Sequence, residues 1–128
     1  MLNVLAVGFG GFIGSVFRYL IGGLVQSLVR HTTFPYGTLT ANVLGCLLIG
    51  LLSGLTYERI NLNSHTRLFL FTGVLGGFTT FSTFSLDTFT MLNTAPTPSI
   101  LLALIHVVAQ LALGLLAVYL GYWLAQSH

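Results

Sequence analysis

The chain has 128 residues, of which only 5% are Asp, Glu, Lys or Arg, and its mean hydropathy is +0.94. Soluble globular proteins carry about 25% charged residues, so these values exclude a water-facing surface and point to a lipid bilayer as the surroundings. The net charge is +2, and the sequence has no basic run or stripe, which argues against nucleic acid as a partner.

Four apolar runs are long enough to cross a bilayer, because about 20 helical residues span its hydrocarbon core. The predicted spans are residues 2–29, 36–57, 67–93 and 99–126. The connections between them are too short to form a soluble domain. The sequence therefore predicts an all-α membrane protein in which residues 1–128 form a single domain of four transmembrane helices.

The positive charges of the loops are nearly balanced between the two sides of the membrane. Arg59 and Arg67 lie on the side that both termini share, and Arg30 lies on the opposite side. Positive charge in short loops sets the orientation of a membrane protein. This weak bias fits a chain that inserts both ways and pairs antiparallel with itself, and it equally fits one weakly specified orientation.

Small residues recur at helical spacing on every predicted span. Examples are Gly10 and Gly14, Gly37 and Gly45, Gly73 and Gly77, and Ala117 and Gly121. Such faces let helix backbones approach closely in lipid. They predict an oligomer, most simply a dimer, unless they serve only to pack the helices of one chain.

Arg18 lies within the first span. A guanidinium at the middle of a membrane helix costs roughly 2.5–3.5 kcal/mol on insertion scales. Two interpretations remain open. The side chain can reach the interface beyond the helix end at little cost, or it can act as a fixed positive charge that draws an anion into a vestibule.

Asn42 lies near the start of the second span, and its amide offers two donors and one acceptor. As a structural residue it would join two helices by a hydrogen bond, which is worth about 0.6 kcal/mol on average in membranes. As a functional residue it would offer N–H groups to an anion. The sequence does not decide between these roles.

The third span contains the most informative segment, residues 73–85, where three glycines are followed by closely spaced hydroxyl residues. Glycine costs about 1 kcal/mol relative to alanine in a helix, so a break near the middle of the membrane is predicted. A broken helix survives there only inside protein or beside a water-filled cavity. Its half-helix ends offer carbonyls to cations and N–H groups to anions.

Phe81 and Phe84 follow the predicted break and share a helix face. A phenyl ring has a positive edge, so ring edges turned to a pore attract an anion without trapping it. The hydroxyls of Ser82 and Thr83 are further donors. In the alternative interpretation, the rings face lipid and each hydroxyl bonds the carbonyl four residues earlier in its own helix.

Three more polar residues lie in the third and fourth spans. Asp87 is placed toward the membrane exit, where it is either solvated or part of the path. His106 and Gln110 are four apart and share a helix face, so they either line a polar track or bond to a neighbouring helix. No nucleophile lies at a readable spacing from a base, and an enzyme is therefore not expected.

These motifs together resemble the Fluc (CrcB) family of fluoride channels over essentially the whole chain. The similar segments are residues 10–19, which contain Arg18, residues 37–45, which contain Asn42, and residues 76–85 at the predicted break. The resemblance implies a dual-topology antiparallel homodimer with two fluoride pores in a bacterial plasma (inner) membrane. Its implied role is passive export of cytoplasmic fluoride.

The resemblance also implies roles for individual residues. The implied pore residues are Asn42, Phe81, Ser82, Thr83, Phe84 and Gln110, with the edges of the two phenylalanine rings flanking the ion. Arg18 and Asp87 match positions near the vestibule. The backbone carbonyls of Gly76 and Thr79, from both subunits, match those that hold a central structural sodium ion.

The fourth span departs from the family pattern. Gln110 and Gly114 stand where similar relatives carry a serine and a threonine of the polar track. Gln110 keeps an N–H donor, whereas Gly114 has no side chain. The fourth span therefore offers one side-chain donor at these two positions, where similar relatives offer two.

A small multidrug-type proton-coupled antiporter is the alternative function, since that class also has about this size, four spans and dual topology. It needs a membrane-buried carboxylate in its first helix to exchange protons for cations. The acids of this chain are Glu58 and Asp87, and neither lies in the first span. The sequence therefore favours the channel.

Overall fold

The computed structural model describes residues 1–29, 32–58, 60–93 and 98–127, so Arg30 and Arg59 of the loop comparison lie outside the described residues. Every regular element in these ranges is helical. The elements are α1 (Leu2–Leu28), α2 (Tyr36–Glu58), α3 (Ser64–Arg67), a π-helical segment (Leu68–Leu75), α4 (Gly76–Phe78), α5 (Phe81–Asn93) and α6 (Ile100–Gln126).

Four helical stretches are long and apolar enough to cross a membrane. They are Leu2–Leu28, Tyr36–Tyr57, Ser64–Asn93 and Ile100–Gln126. Large apolar side chains such as Phe9, Leu101 and Leu115 are exposed on their outer faces, as lipid-facing side chains are. The predicted all-α fold with four spans is confirmed.

The third span is interrupted where the glycines and hydroxyl residues meet. Its helix is π-helical over Leu68–Leu75, a form that is rare and frequently marks functional sites. After α4, Thr79 is extended, with φ −92° and ψ 153°, and α5 begins only at Phe81. The predicted break is therefore confirmed, and it falls at Thr79 and Thr80.

The small-residue faces pack the helices of this one chain. α2 packs chiefly against α6, and α1 against the π-helical segment. A Cβ atom on Gly10 would lie 2.5 Å from the carbonyl oxygen of Phe69, and one on Gly77 would lie 2.6 Å from that of Gly11. These faces are therefore occupied within the chain and do not in themselves indicate an oligomer.

Replacing Gly14 with Ala is expected to destabilise the bundle. A Cβ atom there would press against the carbonyl oxygen of Val74 and lie 2.8 Å from the backbone nitrogen of Phe78. Neither backbone atom can move away alone, and overpacking typically costs about 1–3 kcal/mol. The expected result is a lower unfolding temperature in detergent, measured by the fluorescence of Trp123.

The matched control is Gly8→Ala in the same helix, because no atom of the described part of the chain lies within 4 Å of a Cβ atom at Gly8. Alanine is preferred over glycine in a helix by about 1 kcal/mol, so this variant should unfold at the wild-type temperature or above it. Equal unfolding temperatures for the Gly8 and Gly14 variants would contradict the close approach of α1 to the third span.

Candidate functional site

The break lies directly against α2. Gly45 makes this approach possible, because a Cβ atom at that position would press on the methyl group of Thr79 and lie 3.1 Å from the ring of Phe78. Asn42 lies three residues earlier and therefore on the same face of α2. The glycine and the asparagine together bring an amide side chain within reach of the interrupted backbone.

Asn42 bonds both backbone polar groups of Thr80. The backbone N–H of Thr80 donates to Oδ1 of Asn42 at 2.9 Å, and Nδ2 of Asn42 donates to the carbonyl oxygen of Thr80 at 3.3 Å. A break leaves such groups without helical partners, and one side chain satisfies both. Asn42 thus acts as a helix-joining residue, and its second amide hydrogen is directed at Oε1 of Gln110, 3.2 Å away.

Hydroxyl groups cap the start of α5. The Oγ1 atom of Thr80 accepts from the backbone N–H of Thr83 at 3.3 Å and lies 3.0 Å from Oγ of Ser82 and 3.3 Å from Oγ1 of Thr83. Ser85 instead donates to the carbonyl oxygen of Phe81 at 2.9 Å. Bonding within the helix, the alternative considered above, thus applies to Ser85 and also to Thr79, whose hydroxyl donates to the carbonyl oxygen four residues earlier at 3.0 Å. Thr80, Ser82 and Thr83 instead form a cluster of hydroxyls.

The two phenylalanines after the break lie side by side. Their ring centroids are 5.5 Å apart with an interplanar angle of 53°. Phe81 is 78% exposed, and Phe84 is half-buried. Both rings line a cavity of about 220 Å³ that Asn42 and Gln110 also line. One chain therefore provides one wall of a polar and aromatic cavity that is open on its other side.

The fourth span contributes two buried polar side chains to this wall. Gln110 is 9% exposed, and His106 is fully buried. Nε2 of Gln110 lies 3.3 Å from Nε2 of His106, and Nδ1 of His106 lies 3.2 Å from Oγ1 of Thr88. Both interpretations of this pair therefore apply. Gln110 lines the cavity and also bonds to α2, and His106 bonds to the neighbouring helix α5.

Sequence reasoning missed Thr88 and the backbone of Thr80. Thr88 lies one helical turn after Phe84, and that spacing was the available signal. The role of the Thr80 backbone has no signature in the sequence.

Gly114 is buried, and a Cβ atom there would meet Sγ of Cys46 at an ordinary 3.5 Å.

A second cavity, of about 380 Å³, lies beside the break. Its lining includes Arg18, Asp87, Thr80 and Thr83. Nε of Arg18 and Oδ2 of Asp87 are both buried, and neither has a hydrogen-bond partner in the part of the chain that the structure describes. The two predicted vestibule residues are thus brought together. Thr80 lines both cavities, so the one beside the charged pair and the one beside the phenylalanines share this residue.

The carbonyl groups of Gly76 and Thr79 lose their ordinary helical partners at the break. In an α-helix they would accept from the N–H groups four residues later. The N–H of Thr80 instead donates to Asn42, and that of Thr83 to Oγ1 of Thr80. Gly76 is exposed, and the described part of the chain leaves room for a Cβ atom there, which would lie 3.7 Å from the carbonyl oxygen of Phe71. These carbonyls suit a hard cation, which prefers oxygen ligands.

A broken third span, a cavity lined by Arg18 and Asp87, and an aromatic cavity beside the break define a class, that of small multi-span membrane proteins with buried polar groups. Residues 5–122 match the family described as "CrcB-like protein, Camphor Resistance (CrcB)", and the chain belongs to this family. It is a multi-pass membrane protein.

The chain is similar to several curated relatives along nearly its full length. It is 44% identical over 127 residues to the fluoride-specific ion channel FluC of Agrobacterium fabrum, covering 99% of this chain and 98% of the relative. It is 45% identical over 127 residues to FluC of Ruminiclostridium cellulolyticum, with 99% and 95% covered. The FluC protein of Phocaeicola vulgatus is 42% identical over 128 residues, with 98% and 100% covered.

Proposed function

We propose that this chain is a fluoride-selective channel that releases cytoplasmic fluoride passively through a bacterial plasma membrane. The observation that carries the proposal is the cavity at the break, where Phe81, Phe84 and Gln110 meet the interrupted backbone. Relatives that are 42–45% identical over their full length and named fluoride-specific ion channels support it.

The chemistry of the cavity suits a small anion. Ring edges of Phe81 and Phe84 carry partial positive charge. The hydroxyls of Ser82 and Thr83 do not line this cavity themselves, but they contact the hydroxyl of Thr80, which does, and they can donate. Both amide hydrogens of Asn42 already point to protein oxygens. We therefore assign the amide donor for fluoride to the second hydrogen of Gln110, with Asn42 holding the wall in place.

The vestibule would raise the local concentration of the anion. Arg18 carries a fixed positive charge beside the cavity that Thr80 shares with the pore. Asp87 lies in the same cavity and limits how tightly an anion is held there, since permeation requires weak binding. Arg18 thus attracts fluoride, and the aromatic cavity passes it on.

The family favours this channel over the small multidrug-type antiporter. That antiporter would need a carboxylate in its first helix, and α1 has none in its sequence. Passive conduction also requires no covalent chemistry, so we expect no enzymatic activity.

The proposed channel is an antiparallel homodimer. One chain leaves Phe81 and Ser82 exposed beside an open cavity, whereas a pore in lipid must be closed on all sides. A second copy would supply the missing wall. Two-fold pairing of identical chains is the commonest oligomer, and each copy would then contribute to two pores.

A structural sodium ion is proposed at the centre of this dimer. The carbonyl groups of Gly76 and Thr79 have lost their helical partners, and Gly76 lies at the surface of the chain. If bound there, the ion would neutralise the carbonyl dipoles of both subunits and hold the two breaks together.

Light scattering and thermal unfolding test the dimer and the sodium ion together. We expect a dimer mass in detergent with sodium chloride, and a higher unfolding temperature there than in choline chloride, since a bound ligand stabilises the folded state. A monomer mass in sodium would contradict the dimer. Identical unfolding temperatures in both salts would contradict the sodium site.

Membrane orientation needs a separate test. Asn3→Cys in a Cys46→Ala background places one thiol near the N-terminus. An impermeant thiol reagent applied to intact cells should label about half of the molecules if both orientations occur equally. Labelling of all or none of them would show a single orientation.

Fluoride release from liposomes tests the function itself. Purified protein is reconstituted in vesicles loaded with potassium fluoride or potassium chloride, and a potassium ionophore starts the efflux. Rapid fluoride release without chloride release is the expected result. No fluoride release, or equal release of both anions, would overturn the proposal.

A further inference from the structure

The buried polar groups form a hydrogen-bonded circuit that begins at Thr80, directly before α5, and ends at Phe84 within α5. It runs from the backbone N–H of Thr80 through the side chains of Asn42, Gln110, His106 and Thr88. The hydroxyl of Thr88 then donates to the carbonyl oxygen of Phe84 at 2.8 Å. The four preceding contacts are 2.9, 3.2, 3.3 and 3.2 Å long.

The two backbone ends fix the direction of every bond between them. The N–H of Thr80 can only donate, so Asn42 must turn its oxygen to Thr80 and its nitrogen to Gln110. Gln110 therefore turns its oxygen to Asn42 and its nitrogen to His106. Unlike amide assignments made from shape alone, this one follows from a backbone donor.

The same logic determines which ring nitrogen of His106 carries the proton. Because Nε2 of His106 faces the amide nitrogen of Gln110, it must accept. In the neutral ring the proton then lies on Nδ1, which donates to Oγ1 of Thr88 at 3.2 Å. The hydroxyl of Thr88 is left to donate to the carbonyl of Phe84. The direction of the hydrogen bonds that the N–H of Thr80 imposes therefore agrees with the direction that the carbonyl of Phe84 requires.

We propose that His106 is a positioning residue of the pore, held as the neutral Nδ1–H tautomer, which sets the direction of the Gln110 amide. This proposal rests on the proposed function, because the second N–H of Gln110 is the group that we assign to fluoride. The other tautomer would place two N–H groups against each other. Turning the side-chain amides of Gln110 and Asn42 would remove this clash, but it would then set an N–H of Asn42 against the N–H of Thr80.

Packing keeps His106 in this place. Its side chain is 0% exposed, and its ring lies between two phenylalanines. The centroid of Phe34 is 5.5 Å away in an edge-to-face arrangement at 83°, and that of Phe84 is 5.3 Å away at 54°. His106 thus supports the ring of Phe84 from behind as well as directing Gln110.

Nitrogen-15 magnetic resonance of histidine-labelled protein in lipid bilayers tests the tautomer directly. The signals of His106 are identified by their absence in His106→Phe. We expect a protonated Nδ1 and an unprotonated Nε2. A protonated Nε2 in the wild type would overturn the inference, and this result does not depend on whether the protein conducts fluoride.

Substitutions at Thr88 connect the tautomer to transport. Thr88→Val keeps the shape but removes the acceptor for Nδ1–H, so the Nε2–H tautomer should appear. Fluoride efflux should fall about fivefold, the factor that corresponds to one net hydrogen bond. Thr88→Ser keeps the hydroxyl and should restore both the tautomer and the efflux.

Thr56→Val is the matched control, because among the described residues the hydroxyl of Thr56 bonds within α2 alone, to the carbonyls of Leu52 and Ser53 at 2.8 and 3.1 Å. It should change neither the tautomer nor the efflux. Reduced efflux in Thr88→Val with an unchanged tautomer would show a merely structural role and contradict the inference. Absent efflux in the wild type would instead contradict the proposed function.

Discussion

Replacing Asn42 with Asp is expected to abolish fluoride efflux. A carboxylate cannot donate to the carbonyl of Thr80 or to Oε1 of Gln110, which both accept from Asn42 in the native chain. It also places a negative charge on the wall of the cavity. Two like charges 4 Å apart repel by about 4 kcal/mol at an effective dielectric constant of 20, which corresponds to roughly a thousandfold lower occupancy.

Asn61→Asp is the control for this substitution. Asn61 is exposed in the connection between α2 and α3, so the same chemical change there should leave the efflux from liposomes unaltered. The fold of Asn42→Asp is checked by its elution from a sizing column. Efflux equal to that of Asn61→Asp would show that the anion does not pass close to Asn42.

Replacing Phe81 with Ile should reduce fluoride efflux by about tenfold, which corresponds to 1.4 kcal/mol. The substitution removes the positive ring edge but keeps an apolar side chain. Because Phe81 is 78% exposed in the single chain, the substitution removes little packing within that chain. The measurement is the initial rate of fluoride release from liposomes at equal protein density.

Phe89→Ile provides the matched control on the same half-helix. Phe89 is 56% exposed and is not among the residues that line the cavity at the break. Its replacement should leave the rate unchanged. Equal rates for the Phe81 and Phe89 variants would contradict a role for the ring edge in conduction.

Much of the architecture could be predicted because each feature has a local cause. The apolar runs are long enough to leave membrane spans as their only stable form. Three glycines before a hydroxyl-rich segment weaken the helix at residues 79 and 80, where the structure shows the break. The shared face of Phe81 and Phe84 follows from helical spacing, and their rings lie 5.5 Å apart.

The partners of the polar residues could not be predicted, because they belong to distant parts of the chain or to the backbone. Asn42 bonds a residue 38 positions away and another 68 positions away. The π-helical segment has no distinctive residue pattern, since Leu68–Leu75 is apolar throughout except for Thr72 and Gly73. Sequence also could not show that the glycine faces pack α1 and α2 against their own chain.

The circuit through His106 has a consequence for how such a protein could work over time. Its hydrogen bonds tie Thr80, directly before α5, to α2, and Thr88, within α5, to α6. A transport cycle that alternately exposes the path to either side would have to break several of these bonds in every turnover. The arrangement therefore favours a rigid cavity wall. The rate of transport would then depend on how fast the ion moves along the path and not on the slower rearrangement of helices.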